Sequence, residues 1–222
     1  MAEKKRNSSK IGYVCMALGV ILIAAAVALV LYNRGEDAQA GSAAEDVMPA
    51  LRSAISGENS SEPEPEKDTE TKTETDAKEN TEAAQDSAGG AAGGVVIDGE
   101  SYMGYLSIPV LKLELPVMSD WDYAKLKIAP CRYFGSAETD DLVICAHNFD
   151  RHFGRLKNLR AGDLVTFTDA DGVSFIYEVK AIETLQPTQI SEMIQSEYDL
   201  SLYTCTYGGR TRVTVRCSRT TI

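Results

Sequence analysis

Two patterns of apolar residues divide the chain. Near its start, Ile11 to Tyr32 reads IGYVCMALGVILIAAAVALVLY, an unbroken apolar run without a charged residue. At about 1.5 Å per helical residue, roughly 22 residues reach across a hydrocarbon core of about 30 Å. Beyond position 95 the period shortens to two. Gly104-Tyr-Leu-Ser-Ile-Pro109 and Leu111-Lys-Leu-Glu-Leu115 alternate, the second with Leu111, Leu113 and Leu115 on one face. Leu142-Val-Ile-Cys-Ala146 is wholly apolar, as for a strand buried on both faces. Leu164 to Thr168, the turn Asp169-Ala-Asp171-Gly172 and Ser174 to Val179 predict a hairpin. Near the C-terminus, Leu202 to Thr204 and Val213 to Val215 predict two more strands around Gly208-Gly209, which can supply positive φ. Helical patterns are few: Asp122 to Lys127, Phe153 to Leu159 and Thr188 to Ile194. Many short strands with few helices predict a mainly β domain, a barrel or a sandwich. A barrel also removes the exposed strand edges that invite aggregation.

Composition fills in what lies between the two patterns. Glu58 to Asp86 consists of Glu, Thr, Ser, Lys, Asp and Pro with almost nothing apolar, and Ala88 to Gly94 reads AGGAAGG. Such a stretch cannot bury enough surface to offset its ordering entropy. Four segments follow: a basic tail at 1–10, a transmembrane anchor at 11–32, a disordered acidic spacer at 33–94 and a folded domain at 95–222. Within the spacer, Val47 to Ile55 has the makings of a short helix. Lys4, Lys5, Arg6 and Lys10 precede the apolar run, so the positive-inside rule predicts a cytoplasmic N-terminus and an extracellular domain. Ala38-Gln39-Ala40 resembles a signal-peptidase site. The apolar run is nonetheless longer than the roughly 7–15 residues of a cleaved signal, which favours an uncleaved anchor. The formal charge of −11 comes mostly from the spacer, so it says little about what the folded domain meets.

Candidate chemistry gathers at strand ends. Cys205 stands where a predicted strand gives way to a turn, with Arg210 and Arg212 returning beside it. A guanidinium near a thiol favours the thiolate, which is the nucleophile. The chain has two histidines. His147 closes the apolar run 142–146 and is followed by Asn148, and His152 lies in the next loop. A strand-end imidazole and a strand-end thiol can meet in space although they are far apart in sequence. The ordinary fate of a free cysteine is burial as a small apolar residue. Cys145, inside a strand, and Cys131 and Cys217 fit that description. An extracellular setting also permits disulfides, Cys131–Cys145 or Cys145–Cys217, without a spacing that selects one. A zinc site built from His147, His152 and a cysteine fits no strong ligand pattern. Asp169 and Asp171 read as turn residues, not as a calcium loop, because the remaining ligands are missing. No cofactor is therefore expected, and calcium is not indicated.

Together these residues resemble a sortase. The resemblance rests on Val143-Ile-Cys-Ala-His147-Asn148, a hydrophobic strand ending in His, and on the strand end Leu202-Tyr-Thr-Cys205. It rests also on Arg212-Val-Thr-Val215, on Phe153-Gly-Arg-Leu-x-x-Leu159 followed by Gly162-Asp163-x-Val165, and on Gly104-x-Leu-x-Ile-Pro109. It covers roughly Gly104 to Cys217. The resemblance implies a closed eight-stranded sortase-type β-barrel and a membrane-anchored cysteine transpeptidase acting on LPxTG-type sorting signals of secreted proteins. It implies Cys205 as nucleophile, His147 as general acid and base, and Arg212 as the donor to the oxyanion or substrate backbone. Thr204 would contact substrate, with Arg210 and Asn148 as secondary candidates. The acceptor would be an amine of a cell-wall precursor or a pilin lysine. The short TYGGRT loop and compact domain suggest a class B-like or class D-like member. Two other readings stay open: a peptidase whose thioester goes to water, and a membrane-tethered binding domain without turnover.

Overall fold

The computed structural model of the chain describes residues 3–57 and 94–221. Nine strands make one sheet: β1 (Val95–Ile97), β2 (Glu100–Ile108), β3 (Leu113–Met118), β4 (Cys131–Phe134), β5 (Leu142–Ala146), β6 (Leu164–Asp169), β7 (Ser174–Leu185), β8 (Leu200–Cys205) and β9 (Arg212–Arg219). Their order is β1-β2-β3-β4-β5-β8-β9-β7-β6, and β6 pairs back onto β2. The strands from β2 to β6 in that order thus close into an eight-stranded barrel, with β1 extending the first hairpin.

The period-two pattern explains the interior. Leu106, Ile108, Leu113, Leu115, Val165, Phe167, Tyr177, Val179, Leu200, Leu202 and Val215 turn inward into one buried cluster. β5 is buried at all five positions: Leu142, Ile144 and Ala146 face the barrel core, while outside it Cys145 clusters with Leu126 and Ala129, and Val143 with Leu185 and Met193. The 169–172 turn forms as expected: Asp169 Oδ1 accepts the N–H groups of Asp171 and Val173, and Gly172 takes φ +83°. Two predicted helices contract to single 3-10 turns, Lys125–Lys127 and Leu156–Asn158. The third becomes α2 (Ile190–Ile194). Leu111 leaves the predicted strand for a 3-10 turn, Pro109–Leu111, and β3 begins at Leu113.

The stretch after the apolar run departs most from expectation. The membrane-length helix does not stop near Tyr32 but continues as α1 (Glu3–Ile55) through Pro49. Residues 33–55, expected to be spacer, are therefore helical, and they pack against the barrel. Ala40, Ala44, Met48 and Leu51 are buried, a stripe at helical spacing. Met48 and Leu51 lie against Tyr102, Met118 and Leu126. Arg52 pairs with Glu114, and Arg151 Nη1 with Glu45 at 2.9 Å. Small residues at 40, 41 and 44 allow this close approach: a Cβ on Gly41 would run into the Arg151 side chain. The docking contacts precede the low-complexity stretch, whose residues 58–93 lie outside the described ones.

Candidate active site

The parallel pair β5–β8 and the antiparallel pair β8–β9 bring three strand ends together. Ala146 pairs with Thr204 and Cys205 with Arg212. His147 follows Ala146 directly, so it stands level with Cys205. Thr204 fastens this arrangement: its buried Oγ1 donates to the Ala146 carbonyl at 2.8 Å, tying the two strands one residue before the His and the Cys. Thr204 also lines the second cleft beside Cys205, with its hydroxyl committed to this clamp.

Gly208 and Gly209 turn the chain with φ +80° and +70°, in the left-handed region that favours glycine. The turn is tightened by Thr206 N–H to Thr211 O (2.9 Å) and by the Thr206–Thr211 hydroxyl pair (3.0 Å). Arg212 is thereby set opposite Cys205, its Nη1 donating to Gly209 O at 3.1 Å. Arg210 lies in the turn, exposed and ahead of β9.

Cys205 forms a shared wall between two clefts. The first, about 110 Å³, is lined by Trp121, Tyr133, His147, Met193, Tyr203 and Arg212 among others. The second, about 90 Å³, is lined on its far side by Asn148, Lys157, Thr206 and Tyr207. Half-buried His147 packs against Phe149 at 5.0 Å between ring centroids. Burial holds its imidazole below the usual histidine range, Lys127 pushes it the same way, and Glu36 of α1 opposes them. Burial and Lys127 together therefore favour the neutral ring.

The remaining cysteines are structural in position. Cys131 and Cys145 are register partners across β4–β5 and, like Cys217, are free and buried. Burial pushes the Cys145 and Cys217 thiols up to about 12 and that of Cys131 higher still. Their thiolates are negligible at neutral pH. His152 is not in the cleft. It is fully buried beneath α1, its ring 5.7 Å from that of Phe149. Among the described residues no cluster of three His, Cys, Asp or Glu side chains is placed to hold a metal.

One supporting residue escaped the sequence pattern. Arg216 on β9 is buried, pairs with Glu183 (2.6 Å), and donates to Ser201 Oγ (2.7 Å) and to the carbonyls of Glu192 (2.6 Å) and Met193 (3.2 Å). It thereby holds α2, which supplies Ile190 and Met193 to the first cleft. Alternation places Arg216 on the face opposite Val215 and Cys217, outside the barrel core, so the sequence carried no signal that it would be buried.

A search of curated proteins finds no match. A sortase C1 structure from Streptococcus agalactiae is 28% identical, with a TM-score of 0.50 over 57% of this chain and 72% of that one. Sortase C from Clostridium perfringens is 25% identical, with a TM-score of 0.47 over 55% and 71%. The same protein solved with the C-terminal cell wall sorting motif is 26% identical, with a TM-score of 0.48 over 55% and 71%. The Streptococcus agalactiae structure is a sortase C1, and nothing in the comparisons supports the class B-like or class D-like subclass. The sortase domain model matches residues 106–220, just over half of the chain, and spans every strand end described above. This chain belongs to the sortase family, whose members are cysteine transpeptidases.

Proposed function

We propose that this protein cleaves an LPxTG-type sorting signal and transfers the acyl part to an amine of a cell-wall precursor or a pilin lysine. The observation that carries the reading is the placing of Cys205 between two clefts, with His147 level with it and Arg212 as its register partner. The apolar, aromatic-lined first cleft suits the Leu-Pro portion of the signal. The second suits the leaving segment and then the acceptor amine, with Asn148 on its wall.

In this reading Cys205 Sγ attacks the threonine carbonyl carbon while neutral His147 takes the thiol proton. The carbonyl oxygen gains charge and is met by the Arg212 guanidinium, a charge-assisted donor stronger than a neutral one. Collapse breaks the C–N bond, and His147 returns its proton to the departing glycine amine. The thioester waits until an acceptor amine enters; the amine gives a proton to His147 and bonds to the carbonyl carbon, the C–S bond breaks, and the Cys205 sulfur takes the proton back as a thiol. Water in the acceptor's place would give hydrolysis by the same residues. The positive-inside bias of the basic tail supports an extracellular domain.

Mass spectrometry tests the reading. After incubation with LPxTG-type peptides the protein is expected to carry an acyl adduct on Cys205 that an added amine discharges as a transfer product. No adduct from folded protein with any sorting peptide would overturn it, and hydrolysis alone across a panel of amines would leave a peptidase.

A further inference from the structure

We propose that the basic loop following His147 rests on an anionic phospholipid surface, so that the active-site rim is held at the bilayer. The argument concerns placement and does not depend on the reaction. α1 runs without interruption from the apolar run into the docked segment. Asp37 lies five residues beyond Tyr32, a rise of about 8 Å at 1.5 Å per residue. The headgroup layer outside the hydrocarbon core is about 5–8 Å deep. At this level Asp37 Oδ1 accepts the backbone N–H of Arg151 at 3.1 Å. Higher on the same helix, Ala40 and Ala44 are buried, and Gly41 leaves room only for Arg151. The loop's height above the membrane is therefore set by packing.

The loop carries the charge such a position needs. Residues 147–160 include Arg151, Arg155, Lys157 and Arg160 against the single acid Asp150, so four minus one gives +3 in a chain of −11. Glu45 neutralises Arg151, and Glu36, Asp37 and Glu45 all lie on the helix side of the loop. Lys157 and Arg160 remain exposed, as do Lys127 and Arg210 on neighbouring segments. Lys157 Nζ lies 5.9 Å from the ring of Tyr207, which joins this loop to the β8–β9 turn. Tyr207 is 81% exposed and Tyr123 is 61% exposed, the kind of ring that favours a membrane–water interface. Cations this close to an anionic leaflet are each worth about 1 kcal/mol. The cleft would then open beside the bilayer and suit reactants that are themselves held in it.

The test uses the full chain in nanodiscs of phosphatidylcholine alone or with phosphatidylglycerol, acetylating lysines and reading Lys157 by mass spectrometry against an added standard peptide. Lys157 is expected to react about fivefold more slowly in the anionic discs, one cation's worth of attraction. High salt should abolish the protection. So should Gly41→Leu, which undocks the helix, and Arg160→Glu with Arg210→Glu, which alters only exposed side chains and leaves the fold intact. Equal labelling of Lys157 in both lipids would overturn the proposal. So would protection that appears only when a soluble anionic wall polymer is added, which would make the polymer the partner.

Discussion

His147 and His152 are five positions apart on one loop, and burial pushes both imidazoles below the ordinary histidine value. Their surroundings nonetheless differ in access. His147 is half-buried in the wall of a cleft beside Cys205, open to a reactant. His152 is fully enclosed, and neither ring nitrogen has a well-formed hydrogen bond. Burial outweighs the backbone groups of Ala40 and Ile128, which favour its protonated form, and its value falls to about 4. A lowered imidazole pKa marks burial; access decides whether burial serves chemistry. His147 has a route for a substrate and His152 has a helix for a lid.

The largest effect expected to sharpen this contrast is the loss of His147. His147→Ala should lower transfer by about 10³-fold, the span of general acid–base catalysis, with little change in melting temperature. His152→Ala, which leaves the cleft untouched, should do the reverse. Comparable activity losses in the two variants would erase the distinction.

Next comes acid stability. The folded state holds His152 neutral to about 4, whereas the unfolded chain protonates near 6.5. The folded state therefore binds fewer protons in this window. Stability is fully present above about pH 6.5 and is lost as pH falls, with the deficit approaching about 3 kcal/mol near pH 4. His152→Leu, similar in size and without orphaned nitrogens, should be neutral or stabilising at pH 7 and should flatten this decline. Denaturant titrations across pH would show it, and an unchanged slope would remove His152 as the cause.

The smallest effect lies in the environment of His147. Lys127 holds its pKa down, so Lys127→Gln should move the His147 limb of the pH–rate profile upward. A limb that stays in place would assign the depression to burial alone.

Much of the barrel was legible because period-two alternation reports which face of a strand is buried, and β5 and the β6–β7 hairpin emerged where predicted. Cys205 and His147 stood out because each sits where an apolar run ends, and Arg212 because it opens one. The pairing that sets them side by side was not, since β5 and β8 are parallel and joined by 53 residues, 147–199. Thr204 shows the limit: its hydroxyl holds a carbonyl of β5, a strand that sequence alone does not place beside it. Arg216 shows it again, because a buried arginine becomes intelligible only when its four partners from β7, β8 and α2 are known.

The stretch from Asn33 to Ile55 divides the two kinds of information most sharply. Local sequence determined that an apolar helix precedes it, that a low-complexity run follows it, and that a β domain comes afterwards, because composition and period act within a few residues. Whether 33–55 is tether or scaffold was decided by the tertiary fold. Its alanines and glycine are weakly apolar on their own and acquire meaning only against Arg151, His152 and Phe153. Small side chains gain their energy from the closeness of a partner, and that partner lies more than 100 residues away along the chain.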